Sequence, residues 1–320
     1  MKAFILAAGL GTRLAPLTQE RAKPALPLAG KPMLARVLEQ VSMAGIQTIR
    51  VNSHHRPESI DSVIEAYAPS GTDISTQHES VLLGTGGALV ESRDWIGDDP
   101  VLVVNGDAVS DVDLGALIDA HCSADAVATM TLRTPSDGEQ FGRVEVNQDG
   151  RVVRILDDGP PIDDTTSKMF CGIHIVEPSL LRMLEPAGFS CVVRRGYLDA
   201  LRAGCVVHSF DHPGYFADAG TPSRFLDAHW HVLMNEPRAK DGRPEDSVDT
   251  ERQLWLEQGV AMGDGVTLDG PVYLGRGASV GDGASLKDVL IEAGGTVQKG
   301  EQLAGAIRLV SGATAFRHTA

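Results

Sequence analysis

The chain has 320 residues, which is long enough for about two domains with a buried core in at least one of them. Its 28 basic and 43 acidic residues give a net charge of −15, and so acidic a surface repels nucleic acid, which we do not expect as a partner. No stretch approaches the roughly 18 to 20 uncharged apolar residues of a membrane span, so we expect no membrane partner either. The first predicted element is a buried strand over 3–8. Its apolar run ends at Leu10 and Arg13 follows, which argues against a signal peptide.

Strands and helices alternate as far as about residue 235. Apolar residues at helical spacing predict helices over 33–44 and 114–122, and short β-rich runs predict strands over 48–52, 101–105 and 126–132. This alternation is typical of a mostly parallel sheet with helices on both faces. In such sheets ligands bind beyond the carboxyl ends of the strands, so residues that directly follow strands are the first candidates for a site.

Glycine marks a second region near the end of the chain. Residues 259–312 hold 13 of the 35 glycines, and aliphatic residues recur there every six positions. The two registers are Val260, Val266, Val272, Ala278, Ala284 and Leu290, and Met262, Leu268, Leu274, Val280 and Leu286. This period predicts a short left-handed parallel β-helix; an irregular Gly-rich loop region is the alternative. Six hexads make only about two coils, so we expect the region to lean on the catalytic domain or on a second subunit.

A polar stretch with two prolines separates these regions and predicts a linker. We therefore predict a domain over 1–235, a linker over 236–258 and the β-helix over 259–312. The four cysteines (Cys122, Cys171, Cys191 and Cys205) lie far apart without C-x-x-C spacing, which argues against structural zinc and favours a reducing, cytoplasmic compartment.

A glycine-rich turn directly follows the first strand: Ala7-Ala8-Gly9-Leu10-Gly11-Thr12-Arg13-Leu14. Backbone N–H groups in such a turn can wrap phosphates, and Arg13 and Lys23 would add positive charge. The chain has no G-x-x-x-x-G-K-[ST] string, and Leu14 stands where a dinucleotide fingerprint needs its third glycine. The turn alone leaves a purely structural role open.

The longer string is more specific. The start of the chain resembles the opening pattern of the sugar-1-phosphate nucleotidyltransferases, which is L-A-A-G-x-G-T-R-L-x-P-L-T and then P-K-P. The matching residues are Leu6 to Thr18, then Lys23-Pro24, then Leu26-Pro27-Leu28-Ala29-Gly30-Lys31-Pro32. The resemblance implies a Rossmann-like, GT-A-like catalytic domain. It also implies that the turn and its arginine hold the triphosphate, and that the lysine stabilises charge at the reacting phosphorus. It assigns catalytic roles to Arg13 and Lys23, and nucleotide contacts to Leu6, Ala7, Ala8, Gly9, Gly11 and Thr12 as well.

Three further strings extend the resemblance. Residues 83–89, L-G-T-G-G-A-L, are similar to the family's nucleobase loop and imply that Gly84, Thr85 and Gly86 bind the nucleotide; Thr85 as a helix N-cap is the structural alternative. Asn105-Gly106-Asp107 resembles the end of a strand whose aspartate binds Mg²⁺, and the resemblance implies nucleotide contacts for Asn105 and Asp107. Residues 214–222 resemble the string that supplies the second ligand, Asp218, so the resemblance gives Asp107 and Asp218 catalytic roles as metal ligands. A carboxylate at a strand end suits a hard cation that bridges to phosphates.

The sugar side of the resemblance is incomplete. Gly142 and Gly172 occupy the positions of glycines that line the sugar phosphate together with Asp218, but the family's E-E-K-P lysine is absent, because this chain has Asp157-Asp158-Gly159-Pro160 there. The candidates to replace that lysine are Arg143, Lys168, Arg194 and Arg195. The identity of the sugar therefore stays open.

The resemblance implies that the chain makes an NDP-sugar from an NTP and a sugar 1-phosphate with Mg²⁺ and releases pyrophosphate. The hexapeptide region favours a mannose-1-phosphate guanylyltransferase-like enzyme. Three alternatives remain: a uridylyltransferase or thymidylyltransferase for N-acetylmuramate 1-phosphate or glucose 1-phosphate, a transferase that loads phosphocholine with CMP, and a catalytically silent regulatory subunit. Retention of Arg13, Lys23, Asp107 and Asp218 argues against the last. We expect a homo-oligomer, a dimer or higher, formed through the β-helix or the catalytic domain.

Overall fold

The fold is given by a computed structural model, which describes residues 1–135, 142–184, 188–235, 247–249, 251 and 253–317. The strands, in chain order, are β1 Lys2–Leu6, β2 Pro27–Leu28, β3 Lys31–Pro32, β4 Thr48–Ser53, β5 Asp73–His78, β6 Val101–Asn105, β7 Ala108–Ser110, β8 Ala128–Arg133, β9 Arg143–Val146, β10 Val152–Ile155, β11 Thr166–Val176, β12 Val207–Asp211, β13 Phe216–Asp218, β14 Ser247–Asp249, β15 Leu254–Leu256, β16 Ala261–Met262, β17 Thr267–Leu274, β18 Ser279–Val280, β19 Ser285–Ile291, β20 Thr296–Val297, β21 Gln302–Arg308 and β22 Thr314–Phe316.

The α-helices are α1 Leu17–Glu20, α2 Met33–Met43, α3 Pro57–Tyr67, α4 Gly84–Glu91, α5 Arg93–Ile96, α6 Leu114–Ser123, α7 Pro178–Met183, α8 Leu198–Arg202 and α9 Pro222–Asn235. Two 3-10 helices, Thr12–Leu14 and Lys23–Ala25, and a π-helix, Val192–Tyr197, complete the helical elements of the described ranges. None of the helices in these ranges is long and apolar enough to cross a membrane.

The chain divides into two compact units. The first unit is Met1–Gly9 with Leu34–Phe216, and the second is Leu10–Met33 with Ala217–Ala320. Residues 10–33 thus belong with the C-terminal part of the chain, a grouping that sequence patterns did not predict.

The first unit is built on a mixed sheet, which confirms the predicted α/β, Rossmann-like class. Its main path runs β10-β9-β11-β6-β1-β4-β5, and β8 pairs with both β11 and β12. The pairs β6–β1, β1–β4 and β4–β5 are parallel, as predicted from the alternation of strands and helices. In contrast, β11 runs antiparallel to β6, β8 and β9. The parallel half places the carboxyl ends of β1 and β6 side by side, because Leu6 lies opposite Asn105.

Local sequence explains these elements. Phe4 and Val103 are fully buried in uncharged runs that are typical of strands covered on both faces, and they pack with Leu89 of α4. The Asp113 side chain accepts a hydrogen bond from the Ala116 N–H at 2.9 Å and so caps α6. The predicted first strand over 3–8 ends two residues earlier than expected, at Leu6, because the Ala7 N–H donates to the Asn52 side chain.

The second unit contains stacked parallel strands. β15, β17, β19 and β21 form one parallel series, flanked by antiparallel β14 and β22, and β16, β18 and β20 form another. Ala261 pairs with Ser279, 18 positions on, and Ser279 pairs with Thr296, 17 positions on. Val272, Ala278 and Ala284 of the predicted six-residue registers are fully buried in the core between the strands, whereas Met262 is exposed. The six-residue step is not kept as far as Leu290, because the register shifts and Val272 pairs with Val289.

The predicted linker, 236–258, falls partly outside the described residues, which omit 236–246, 250 and 252. Within it, Leu254–Leu256 forms β15 and pairs in parallel with β17. The division into 1–235, 236–258 and 259–312 stays a prediction about independently folding parts.

Candidate active site

The predicted site residues are distributed over both units. The first unit holds Leu6, Ala7, Ala8, Gly9, Gly84, Thr85, Gly86, Asn105, Asp107, Gly142 and Gly172, and the second holds Gly11, Thr12, Arg13, Lys23 and Asp218.

In the second unit the glycine turn needs its glycine at position 11. Gly11 has φ +63°, and a β-carbon there would lie 2.8 Å from Thr18 Cγ2 and 3.1 Å from Lys23 Cβ. The Thr18 hydroxyl donates to the Gly11 carbonyl at 3.0 Å, which ties the turn to α1. Thr12 and Arg13 then form an exposed 3-10 helix, so both side chains face solvent at the turn.

Three cationic side chains surround the Asp218 carboxylate. Lys23 Nζ lies 2.8 Å from Oδ1, and the nearest guanidinium nitrogens of Arg13 and Arg224 lie 3.6 and 3.7 Å from Oδ2. The Lys23 side chain is only 8% exposed, so its charge is held away from bulk water. Sequence reasoning had selected three of these four side chains. It missed Arg224, although its position in the first turn of α9, just after Thr221-Pro222, was a usable signal.

The pKa of Asp218 follows from this arrangement. Burial opposes ionisation of its carboxyl group, but the charge and hydrogen bond of Lys23 and the charges of Arg13 and Arg224 outweigh burial, so the pKa lies below its usual value. Asp218 is therefore an anion at neutral pH, and these four side chains together carry an excess of two positive charges. Such a cluster attracts a polyanion such as a triphosphate.

In the first unit, Asn105 and Gly172 lie against each other at the end of β6. Gly172 has φ +70°, and a β-carbon there would overlap the Asn105 side-chain amide. The neighbouring Gly106 donates its N–H to the Leu6 carbonyl at 2.8 Å, which ties the turn before Asp107 to the end of β1. The structure thus brings together a residue predicted to bind nucleotide and a residue predicted to bind sugar.

The glycines of the 83–89 loop are closely packed. A β-carbon on Gly84 would lie 2.5 Å from the Ser190 carbonyl oxygen, and one on Gly86 would lie 2.9 Å from Ser190 Oγ. The Gly86 N–H donates to the Ser190 carbonyl at 2.8 Å. Packing against the 188–192 segment therefore explains these glycines without a ligand, and their contact with a nucleobase stays a prediction.

Thr85 does not cap a helix. α4 begins at Gly84 with no side-chain cap, and the Thr85 hydroxyl accepts a hydrogen bond from the Val192 N–H at 3.0 Å. The alternative interpretation of Thr85 as an N-cap is therefore wrong. The hydroxyl instead joins the loop to the π-helix.

A buried hydrogen-bond chain links two parts of the predicted nucleotide site in the first unit. The Ala7 N–H donates to Asn52 Oδ1 at 2.6 Å, and Asn52 Nδ2 donates to Glu79 Oε1 at 2.7 Å. The other carboxylate oxygen of Glu79 accepts from the Leu83 N–H at 2.9 Å. Sequence analysis missed Asn52 and Glu79. For Asn52 the available signal was a polar residue directly after Val51, near the end of β4.

The residues predicted to bind the sugar phosphate include one exposed glycine and four basic side chains, two of which form ion pairs with aspartates. Gly142 is exposed, and a β-carbon there would lie 2.5 Å from Leu156 Cδ2; its neighbour at 141 lies outside the described residues. Arg143 pairs with Asp157 at 3.6 Å and Lys168 pairs with Asp211 at 2.6 Å. Arg194 and Arg195 are exposed on the π-helix.

The two carboxylates that the sequence predicts as metal ligands lie in different units, and their joint role stays a prediction. Asp107 follows β6 in the first unit, and Asp218 ends β13 and belongs to the second. In the described ranges no cluster of three or more His, Cys, Asp or Glu side chains could hold a metal ion. Two carboxylates completed by substrate phosphates and water are what Mg²⁺ usually accepts, so this donor set fits that ion.

Known proteins are similar to this chain over most of its length. The family model described as nucleotidyl transferase matches residues 2–235. The mannose-1-phosphate guanylyltransferase of Mycobacterium tuberculosis is 33% identical over 232 residues, which cover 70% of this chain and 62% of that protein. The chain thus spans about three fifths of the length of the curated relatives that it matches.

Two solved structures share the fold. HddC from Yersinia pseudotuberculosis, solved in complex with GMP-PN, superimposes with a TM-score of 0.60 at 25% identity and covers 72% of this chain and 99% of that one. UDP-glucose pyrophosphorylase from Acinetobacter baumanii superimposes with a TM-score of 0.64 at 20% identity, covering 74% of this chain and 94% of that one, which shows the fold alone.

Proposed function

This chain belongs to the nucleotidyl transferase family, and from that membership we propose that it transfers a nucleoside monophosphate from an NTP to a sugar 1-phosphate. The observation that carries the proposal is the cationic cluster of Arg13, Lys23 and Arg224 around Asp218, directly after a glycine turn that needs Gly11. A polyphosphate is the ligand that this charge and this exposed turn suit best.

For the substrates we propose GTP and mannose 1-phosphate. The support is the relative in Mycobacterium tuberculosis, whose name is mannose-1-phosphate guanylyltransferase, and the GMP-PN bound to the similar HddC. Because the E-E-K-P lysine is absent, other sugar phosphates have to be assayed beside mannose 1-phosphate.

The reaction needs no general base. A sugar phosphate has a second pKa near 6, like other phosphate monoesters, so it is already a dianionic nucleophile at neutral pH. One of its oxygens forms a bond to the α-phosphorus of the NTP while the bond from that phosphorus to the β-phosphate oxygen breaks and pyrophosphate leaves. The obstacle is repulsion between two anions, so the work of the protein is to position them and neutralise charge.

Arg13 and Lys23 would bind the phosphates that become pyrophosphate, and Arg224 would add a third positive charge. Mg²⁺, held by the carboxylates of Asp107 and Asp218, would supply further neutralisation of phosphate oxygens when bound. Lys23 is the best placed of the three cations for a strong interaction, because its ammonium group is the least exposed to water.

For the sugar phosphate we propose Arg194 and Arg195 as the replacement for the absent lysine. Among the four candidates, Arg143 and Lys168 are engaged by Asp157 and Asp211, whereas the described part of the chain gives Arg194 and Arg195 no ion pair. Both lie on a π-helix, and single-turn π-helices are frequent at functional sites. Gly142 and Gly172 would contribute backbone to the sugar side, since Leu156 and Asn105 occupy the space at their missing β-carbons.

We also propose that the strands of 254–308 are coils of a left-handed β-helix. Paired strands are 18 or 17 residues apart in sequence, and 18 residues equal three hexads, the length expected for one triangular coil. The hexad positions Val272, Ala278 and Ala284 are buried. With so few coils we expect a homo-oligomer formed through this region or the catalytic domain. A cytoplasmic location is proposed from the four free cysteines in the described residues.

Pyrophosphate release over a grid of NTPs and sugar phosphates tests the function. We expect the fastest release with GTP and mannose 1-phosphate, no release without a divalent cation, and weaker release with UTP or dTTP paired with N-acetylmuramate 1-phosphate or glucose 1-phosphate. Release with a pyrimidine pair alone would move the proposal to that substrate class. Absence of release with every pair would contradict the enzyme and leave the silent regulatory subunit.

A further inference from the structure

The segment that carries the catalytic cations is packed against the C-terminal strands. We call residues 10–33 the cation segment, since it contains Arg13 and Lys23, and residues 253–317 the strand region. Both belong to the second unit. The strand region and the preceding α9 contact the cation segment at two places, one before Lys23 and one after it.

The first contact is an ion pair. Arg21, two residues before Lys23, donates from Nη1 to Glu292 Oε1 at 2.7 Å and from Nη2 to Oε2 at 3.5 Å. The Glu292 side chain is only 10% exposed, and its Oε2 also accepts from the Val310 N–H at 2.8 Å, so the carboxylate has a fixed place in the strand region. Beside this pair the Ser311 hydroxyl donates to the Glu20 carboxylate.

The second contact follows Lys23 in the chain. The Ala29 N–H donates to His229 Nδ1 at 3.0 Å, and the His229 ring packs edge-on against the Tyr273 ring, with centroids 4.8 Å apart. Gly30 has φ +78°, and a β-carbon there would lie 3.1 Å from both the Tyr273 hydroxyl and Glu257 Oε1. The cation segment is therefore held at both ends of the stretch that contains Lys23.

We propose that Arg21 and Glu292 are positioning residues for the phosphate site. Their side chains pair with each other and not with the Asp218 carboxylate, which Arg13, Lys23 and Arg224 surround. Their ion pair fixes the backbone that leads into Lys23, and so sets where the ammonium group of Lys23 and the guanidinium group of Arg13 meet the phosphates. Small displacements of such groups cost much catalysis, because an unfixed cation must be ordered at each turnover. The proposal rests on the proposed nucleotidyl transfer.

The negative charge of Glu292 makes a positioning role and a direct electrostatic effect predict opposite results when it is removed. Glu292→Gln removes a negative charge from the neighbourhood of a polyanion site, so Coulomb attraction alone would strengthen binding of the triphosphate. Loss of positioning would weaken it. Glu292→Gln is thus the decisive variant, and Arg21→Gln is its partner.

The experiment measures kcat and KM for the NTP in the two single variants and in the double variant, well below their unfolding temperatures. We expect kcat/KM to fall about tenfold in each single variant and no further in the double, because the pair acts as one unit. Exchange of the pair, Arg21→Glu with Glu292→Arg, should restore part of the loss. Unchanged kinetics in Glu292→Gln, or losses that add in the double variant, would overturn the proposal.

Lys287→Gln with Asp269→Asn is the matched control, because that exposed ion pair joins β17 and β19 at 2.8 Å without involving the cation segment. It should leave kcat/KM as in the wild type. Calorimetric titration with inorganic pyrophosphate keeps the test separate from the proposed function. Should the wild type release no pyrophosphate with any pair, weaker pyrophosphate binding by Glu292→Gln would still support positioning, and equal or tighter binding would overturn it.

Discussion

The α-carbon of Gly172 faces the side-chain amide of Asn105, with no space between them for a methyl group. The relationship joins β11 to the end of β6, where a nucleotide contact was predicted. Any side chain at position 172 would displace the amide, and it would also have to adopt φ near +70°. This position therefore couples backbone conformation to the shape of the candidate site.

Gly172→Ala should lower both the unfolding temperature and turnover. The left-handed backbone costs about 1 to 3 kcal/mol for a residue other than glycine, and displacement of Asn105 adds to that cost. Gly45→Ala is the matched control, since Gly45 has φ +83° and nothing within 4 Å of its missing β-carbon. Differential scanning fluorimetry and pyrophosphate release should show a larger loss for Gly172→Ala. Equal effects would mean that the contact with Asn105 is unimportant.

Asp218→Asn and Asp107→Asn should each lower kcat by about two orders of magnitude with the fold intact, because each removes a negative charge from the proposed metal site. Circular dichroism checks the fold, and pyrophosphate release checks the rate. Asp227→Asn serves as the control, because Asp227 is an exposed residue of α9 that pairs with Arg317. Near-normal turnover in either variant would remove that aspartate from the proposed metal site.

Glu79→Gln should raise KM for the NTP about tenfold with a smaller change in kcat. Both carboxylate oxygens of Glu79 accept hydrogen bonds, so the amide would turn an N–H donor toward another donor at a cost of about 1 to 3 kcal/mol. The disturbance reaches Ala7 through Asn52. Steady-state kinetics with varied NTP measures the effect. The exposed Glu91 of α4 supplies the control, Glu91→Gln, and identical KM values for the two variants would contradict the prediction.

His174 should make the protein less stable in acid. Burial lowers the pKa of its imidazole from 6.5 to about 3, and the Tyr197 hydroxyl lies against its Nδ1. Between these two pH values the imidazole is protonated in the unfolded chain and neutral in the folded chain. The free energy of unfolding therefore falls as the pH drops below 6.5, and the contribution of His174 is fully present above pH 6.5.

The unfolding temperature should thus fall on acidification more steeply in the wild type than in His174→Gln, with the exposed His78→Gln as control. An NMR titration of the histidine ring protons gives a direct second measurement. A resonance of His174 that titrates near its ordinary value would show the prediction to be wrong.

Much of the first unit was predictable from local pattern. The runs around Phe4 and Val103 have the uniform apolar character of doubly covered strands, and Asp113 sits where a helix cap belongs. Loops were harder. The sequence around Thr85 is typical of a helix cap, but the Thr85 hydroxyl accepts a hydrogen bond from the Val192 N–H. No sequence spacing reveals a partner 107 positions away.

The candidate site was predicted only where a family pattern exists. Arg13, Lys23 and Asp218 fall in recognisable strings and do converge, whereas Glu79 and Glu292 make long-range contacts that have no local signature in the sequence. The grouping of residues 10–33 with the C-terminal strands was missed for the same reason: packing of a short segment depends on surfaces that are formed elsewhere in the chain.

The antiparallel strands at the two sides of the stacked parallel series have a consequence for self-association. β14 covers β15, and β22 pairs with Ala306–Arg308 of β21. Each outer strand is only three residues long, and short edge strands are poor templates for further pairing. The series from β15 to β21 is thereby protected from fibre-like growth by strand addition. Removal of residues 309–317 would expose the backbone N–H and C=O groups of β21 that now pair with β22, and another chain could then pair with them.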